Sequence, residues 1–238
     1  GDVEALAEVM RGWLAANGRF GAPLYLCGES YGTTRGAALA DKMTDLGLAF
    51  TGGPFEPGSS SEMLVQRSVD GGQTWQSWYG RTDNTDNLLN LYAIGAHRGE
   101  LFVVGEAGLL MRLDRQRQRF VRIDTGQTAS FFGLLDAGDA LIAYGLRGKA
   151  VISRDGGNSW QPLVTGLQAS ITAASRSADG RLWLADQFGQ VSVSRDGGQR
   201  FVPLTLPVRL PVAAIHAGAQ RLVLAGARGV HSLPLPKD

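Results

Sequence analysis

The sequences SRDGGNSW (residues 153–160) and SRDGGQRF (residues 194–201) decide the fold of this chain. They share the pattern S-x-D-G-G-x-x-aromatic with SVDGGQTW at residues 68–75. A degenerate copy, RLDRQRQRF at residues 112–120, keeps the aspartate and the aromatic residue but has lost the glycines. The four copies recur at intervals of about forty residues, so the chain after residue 62 is predicted to be built from repeats.

We interpret the repeated motif as a turn that stabilises itself. The aspartate carboxylate can accept hydrogen bonds from nearby backbone N–H groups, and the glycines permit positive φ. The aromatic residue is expected to pack between neighbouring repeats. Such a motif marks architecture rather than activity. The residues assigned to it are Ser68, Asp70, Gly72, Trp75, Ser153, Asp155, Gly157, Trp160, Ser194, Asp196, Gly198 and Phe201.

A second repeated pattern predicts the strands. Four tetrapeptides of the form Gly-x-x-Gly, or close to it, follow alternating apolar runs; they are GEAG (105–108), GLRG (145–148), DQFG (186–189) and GARG (226–229). About four strands in a unit of forty residues are typical of a β-propeller blade. We therefore predict a mainly β fold: a partial or small propeller of four to five blades. The chain could close a small ring, form an open arc or share a ring with a second copy, and exposed blade edges would favour a homo-oligomer.

Two resemblances support this interpretation. The S-x-D-G-G motif resembles the Asp-box, or bacterial neuraminidase repeat. The stretches 74–112 and 130–148, followed by SRDGGNSW, resemble the photosystem II assembly factor-like propellers of bacteria, and the resemblance covers about residues 62–238. It implies a non-catalytic scaffold that binds a protein partner outside the cytoplasm. A sialidase-like glycosidase is an alternative, but the spacing shows no pair of carboxylates of the kind that a glycosidase uses.

The first fifty residues have a different character. Apolar periodicity predicts helices over 3–17 and 33–46, with a buried strand at 23–27 between them. The strand leads into GESYG (28–32), a G-x-S-x-G sequence placed as in the nucleophile elbow of α/β-hydrolases. In that context Ser30 is a candidate nucleophile, and the Tyr31 N–H is a candidate oxyanion donor.

This segment resembles the serine carboxypeptidase family. The resemblance implies that Glu29 helps to bind the terminal carboxylate of a substrate. This segment contains no histidine that could act as the general base, because all three histidines lie in the predicted blades; they are His97, His216 and His231. A carboxypeptidase-like hydrolase is therefore the alternative to the scaffold. The predicted organisation is a hydrolase-like fragment (1–52), a linker rich in Gly, Pro and Ser (53–61) and the blades (62–238).

Composition excludes several classes of protein. The net charge is only +1, from 23 Lys+Arg and 22 Asp+Glu, which argues against a general nucleic-acid binder. One cysteine and three histidines leave little material for a metal site, and we predict no cofactor. No apolar run reaches the length of a membrane helix, and the acidic N-terminal sequence does not look like a signal peptide.

One local cluster of charge departs from this balance. Five arginines crowd into the degenerate copy of the motif, and alternation would place three of them on one strand face. They are candidates for binding an acidic protein partner. The alternative is a solvated outer strand whose charges protect an edge. The five residues are Arg112, Arg115, Arg117, Arg119 and Arg122.

Overall fold

The computed structural model describes residue 16, residues 25–28, 64–68, 74, 76–78 and 80–84, and then 89–207 and 209–235. The chain divides into two compact units, residues 1–91 and 92–238. Described residues of both units are arranged mainly as antiparallel strands, which confirms the predicted mainly β class. Because the predicted helices lie outside the described residues except for the helical Ala16, they stay predictions.

The first unit contains a three-stranded sheet, sheet I, in the order β1-β2-β3. Its strand β1 is close to the strand predicted at 23–27, and it pairs with β2 in an antiparallel register that places Cys27 opposite Val65. The strand before GESYG is thus joined to strands that follow the predicted linker. The described residues of this unit contain no parallel pair of strands. The strands are β1 (Tyr25–Gly28), β2 (Leu64–Arg67) and β3 (Gln76–Ser77).

The second unit contributes four sheets, each a meander in which strands adjacent in sequence are hydrogen-bonded neighbours. Sheets II, III and IV have four strands and sheet V has three, in agreement with the strand count expected from the repeats. β4 begins at the boundary of this unit. The strands are, for sheet II, β4 (Leu91–His97), β5 (Glu100–Gly105), β6 (Leu110–Asp114) and β7 (Arg119–Arg122); for sheet III, β8 (Phe131–Asp136), β9 (Leu141–Gly145), β10 (Ala150–Ser153) and β11 (Gln161–Pro162); for sheet IV, β12 (Ile171–Arg176), β13 (Leu182–Asp186), β14 (Val191–Ser194) and β15 (Val202–Leu204); for sheet V, β16 (Ala214–Ala217), β17 (Arg221–Gly226) and β18 (Gly229–Pro234).

The core of the second unit lies between successive sheets, whose first strands β8, β12 and β16 are neighbours. A single four-stranded sheet cannot bury an apolar face by itself, so each sheet packs against the next. Phe102 and Phe131 are fully buried between sheets II and III, Ile142 and Leu182 between III and IV, and Trp183 between IV and V. Each seam therefore uses residues from two repeats.

The Gly-x-x-Gly turns allow the backbone to approach at these seams. A Cβ atom on Gly145, the first glycine of its turn, would collide with the Ser130 carbonyl oxygen at the start of the same sheet. A Cβ on Gly148, the second glycine, would collide with the Leu167 carbonyl in the segment that leads to sheet IV. Gly148 also has φ +70, a left-handed conformation that favours glycine. The spacing of the two glycines thus reflects two separate close approaches.

Serine side chains join neighbouring sheets at the same end. The Ser130 carbonyl accepts a hydrogen bond from Leu146 N of its own sheet (2.9 Å), and Ser130 Oγ accepts one from Ala107 N of the preceding sheet (3.3 Å). Ser170 repeats the arrangement with Gln187 N (2.9 Å) and Arg147 N (3.5 Å). These bonds connect the turns of sheets II, III and IV into one continuous row.

We expect Gly148→Ala to destabilise the protein more than Gly156→Ala. Gly156 has a similar φ of +75, but a Cβ there would meet nothing within 4 Å. The control should therefore lose only the left-handed penalty of about 1–2 kcal/mol. Gly148→Ala should lose about 1–3 kcal/mol more because the backbone must move apart. Urea unfolding measures both losses, and equal losses would show that the close approach contributes nothing.

Candidate functional site

The turn between β10 and β11 is organised around the carboxylate of Asp155. Its Oδ1 accepts hydrogen bonds from Ser153 Oγ (2.8 Å), Asn158 N (3.0 Å) and Ser159 N (2.9 Å), while its Oδ2 accepts one from Ser159 Oγ (2.6 Å). The Ser153 hydroxyl in turn accepts the Gly157 N–H at 2.7 Å. The polar groups of this copy of the motif therefore form hydrogen bonds with one another within a single turn.

The turn between β14 and β15 has the same arrangement. Asp196 Oδ1 accepts from Ser194 Oγ (2.8 Å) and from the backbone N–H groups of Gln199 and Arg200 (both 2.9 Å). Ser194 Oγ accepts the Gly198 N–H at 2.9 Å. Of the first copy of the motif, Ser68 is described and is buried. Asp70, Gly72 and Trp75 lie outside the described residues.

The second glycine of each motif lies against the core of the preceding sheet. Gly157 has φ +88 and faces the Phe102 ring of sheet II, so closely that a Cβ would have to displace the ring. Trp160 packs edge-on to the same ring, with centroids 6.3 Å apart, and its indole N–H donates to the Gly157 carbonyl. Phe201 is buried in the cluster between sheets III and IV. The aromatic residues thus lie between sheets, as the motif led us to expect.

The chemistry of these carboxylates is fixed by their hydrogen bonds. The Ser159 hydroxyl and N–H, together with Ser153, hold the pKa of Asp155 well below its usual range. The backbone N–H of Arg200 and the Ser194 hydroxyl lower the pKa of Asp196 in the same direction. Both carboxylates are therefore engaged in closing their own turns.

The arginines occupy a different geometry from the one that alternation predicted. β6 ends at Asp114 and β7 begins at Arg119, so Arg115 and Arg117 lie in the turn and not on one strand face. The reason is local: Asp114 Oδ1 accepts the N–H groups of Gln116 (2.9 Å) and Arg117 (3.0 Å), which closes the turn before a strand can continue. We call residues 112–122 the arginine turn.

The side chains of the arginine turn are partly fixed by the surrounding protein. Arg112 Nη1 donates to Asn158 Oδ1 of sheet III at 2.8 Å, and Arg115 Nη2 donates to the Gly99 carbonyl. Arg117 Nε lies 3.6 Å from Asp114 Oδ2. Arg122 is exposed and Arg119 half-buried, both on β7. Arginines anchored in this way lose less conformational freedom when they bind an anion.

A groove of about 690 Å³ runs between the arginine turn and the Asp155 turn of the next sheet. It is an open, mixed surface rather than an enclosed chamber, and four arginines and three carboxylates line it. Charge-assisted hydrogen bonds to carboxylates are the chemistry that it offers. The charged residues that line it are Glu100, Arg112, Asp114, Arg115, Arg117, Arg122 and Asp155.

The hydrolase candidates Glu29, Ser30 and Tyr31 lie outside the described residues.

The three histidines of the blades differ in burial and in hydrogen-bond partners. His97 is fully buried, and its Nδ1 donates to Asp136 Oδ1 of the next sheet at 3.0 Å, a link that sequence spacing did not reveal. His231 Nε2 donates to the Arg228 carbonyl at 3.2 Å, and His216 is exposed.

Across the described part of the chain, no three His, Cys, Asp or Glu side chains come together in a way that could hold a metal ion. The same residues include no helix with both the length and the hydropathy needed to cross a membrane.

We expect the contribution of Asp155 to stability to depend on pH. Because the folded pKa of Asp155 is depressed, its stabilisation is fully present above the unfolded pKa and is lost as the pH falls through the lower, folded pKa. Asp155→Asn should therefore lower the urea midpoint most at pH 7, and its difference from wild type should shrink below about pH 4. The exposed Asp139→Asn serves as the control. A difference that is constant with pH would contradict the role of the ionised carboxylate.

No protein-family model and no curated protein matches the sequence. Solved structures do match the fold. YCF48 bound to D1 peptide superposes with a TM-score of 0.53 at 16% identity, over 73% of this chain and 61% of that one. YCF48 from Cyanidioschyzon merolae gives 0.54 at 14% identity, over 74% and 61%. The extracellular domain of a hybrid two-component system from B. thetaiotaomicron gives 0.55 at 13% identity, over 72% and 24%.

These likenesses establish the fold. The chain spans about three fifths of the YCF48 chains that it matches, and its sheets correspond to blades of a partial β-propeller.

Proposed function

We propose that this chain is a non-catalytic β-propeller scaffold that binds a protein partner. The observation that carries the proposal is the fold itself, taken with its similarity to YCF48 bound to a D1 peptide. A propeller presents many turns at the two ends of its blades, and such rigidly supported turns are suited to partner binding. The structural neighbours also include an extracellular domain. An extracytoplasmic location is therefore part of the proposal.

The groove at the arginine turn is the surface that we assign to this binding. It brings guanidinium groups of sheet II to the edge of sheet III, where Asn158 anchors Arg112. The Asp155 carboxylate in the groove is already engaged by donors of its own turn, which reduces its competition for the arginines. An acidic segment of a partner would complement this surface, because charge complementarity gives both specificity and fast association.

The double substitution Arg115→Glu/Arg117→Glu tests this assignment. The partner would first be captured with the wild-type protein, identified by mass spectrometry and purified. Isothermal titration calorimetry on the purified pair should then give an affinity that falls with salt and falls at least about tenfold in the variant. The double substitution Arg195→Glu/Arg200→Glu, at two exposed arginines of the β14–β15 turn outside the groove, is the charge-matched control. If no purified partner binds, or the double variant binds as wild type does, the assignment is wrong.

The hydrolase alternative has a direct test at Ser30. Without a general base, a serine hydroxyl is a weak nucleophile. We expect the folded protein to react with a fluorophosphonate probe no faster than its Ser30→Ala variant. We also expect no hydrolysis of a sialoside. Labelling that disappears in Ser30→Ala would replace the scaffold by a carboxypeptidase-like enzyme, and sialoside turnover would restore the glycosidase.

A further inference from the structure

The turn between β13 and β14 exposes a phenyl ring that the fold does not need. Phe188 is 65% exposed, although its neighbours Asp186 and Gly189 are buried. The corresponding positions in the Gly-x-x-Gly turns of sheets II, III and V hold Ala107, Arg147 and Arg228. An aromatic side chain is therefore not a requirement of this position. Leaving a phenylalanine in water forgoes about 1.5–3 kcal/mol of burial.

The backbone conformation of Phe188 is held by the residues beneath it. Asp186 Oδ1 accepts the N–H groups of Phe188 and Gln190, both at 2.9 Å. The Gln187 N–H on the other side donates to the Ser170 carbonyl. A ring presented on such a fixed turn is a suitable anchor for a partner, because little freedom remains to be lost on binding.

Two exposed arginines lie on the segments next to this turn. On one side, Ser170 links the turns that carry Arg147 and Phe188, since its carbonyl accepts Gln187 N and its Oγ accepts Arg147 N. On the other side, Arg209 Nη2 donates to Gln190 Oε1 at 3.0 Å, two residues beyond Phe188. Both arginines are exposed. The turn that carries Phe188 thus lies between two segments that each carry an exposed arginine.

The guanidinium of Arg147 makes no ion pair in the described part of the chain. Its φ is +56, in the left-handed region where a residue with a side chain costs roughly 1–2 kcal/mol relative to glycine. Ala107, at the equivalent position of sheet II, has φ +50, so this conformation belongs to the turn. The turns of sheets II and III therefore differ at this position in the side chain that they expose.

From these observations we infer a second docking surface, formed by Arg147, Phe188 and Arg209, that binds an acidic protein segment carrying an apolar side chain. The apolar group covers the Phe188 ring, and carboxylates on either side meet the two guanidiniums. The surface deepens the proposed scaffold function and rests on it. It lies at the opposite end of the strands from the arginine turn, because successive turns of a meander alternate between the two ends.

A protein segment fits this surface better than a nucleic acid does. Proteins that bind single strands stack successive bases on several aromatic rings. Phe188 is the only exposed aromatic side chain among the large apolar residues of the described regions; the others are valines. A segment with one apolar anchor between acidic residues matches one exposed ring on a turn whose neighbouring segments each carry an arginine.

The test uses the whole chain and a fluorescein-labelled peptide in which glutamate and leucine alternate. Fluorescence anisotropy should show binding that weakens about tenfold in Phe188→Ala and in Arg147→Gly. Replacing glutamate by glutamine, or leucine by serine, in the peptide should abolish binding. Arg147→Gly is informative because glycine relieves the left-handed strain, so thermal unfolding should show equal or higher stability. Ala107→Gly makes the same backbone change at φ +50 without removing a guanidinium, and it should bind as wild type does.

Several results would overturn the inference. The first is that the folded wild type does not bind the peptide. The second is that Phe188→Ala and Arg147→Gly bind it as tightly as wild type does. The third is that oligothymidylate binds more tightly than the peptide and loses affinity in both variants. The Arg115→Glu/Arg117→Glu protein distinguishes failure of this inference from failure of the proposed function. If that protein loses the natural partner while Phe188→Ala keeps both partner and peptide affinity, the scaffold stands and the second surface does not exist.

Discussion

Close approach of backbone between neighbouring sheets is the constraint on which the second unit depends. A meander of three or four strands has an apolar face that it cannot bury alone, so each sheet must pack against the next. Side chains such as Phe102, Ile142 and Trp183 fill the seams. Backbone can meet backbone of the segment leading to the next sheet only where glycine removes the Cβ, as at Gly148 and Gly189. Each repeat of about forty residues therefore supplies both a sheet and the residues that pack it against the next sheet.

The two ends of the strands are stabilised by different chemistry. At one end, carboxylates such as Asp155 gather N–H and O–H donors into self-contained turns. At the other, Ser130 and Ser170 connect the turns of adjacent sheets through the backbone. Turns that are rigid for these reasons can carry exposed side chains without losing their position. Both proposed binding surfaces, the arginine turn and the surface around Phe188, use this property.

Stability and binding are separable in this arrangement. The glycines and the turn aspartates act on folding, whereas Arg117 and Phe188 lie on turns that close without their side chains. The third position of the Gly-x-x-Gly turns holds Ala107, Arg147, Phe188 or Arg228 in the four sheets. In the proposed scaffold, the side chains at this position could differ while the packing between sheets stays the same.

The repeat and the mainly β class could be predicted from the sequence, because turn chemistry and alternating apolar runs act over a few residues. The strand near residues 23–27 could also be predicted, though not its pairing with β2. Contacts between residues far apart in the chain depend on tertiary structure: the His97–Asp136 bond, the groove beside Asn158 and the bond from Arg209 to Gln190 near Phe188. The alternation of arginines predicted a strand face, but hydrogen bonds to Asp114 make it a turn. The sequence pattern specifies local backbone conformation, whereas contacts between residues of two repeats depend on how whole sheets pack.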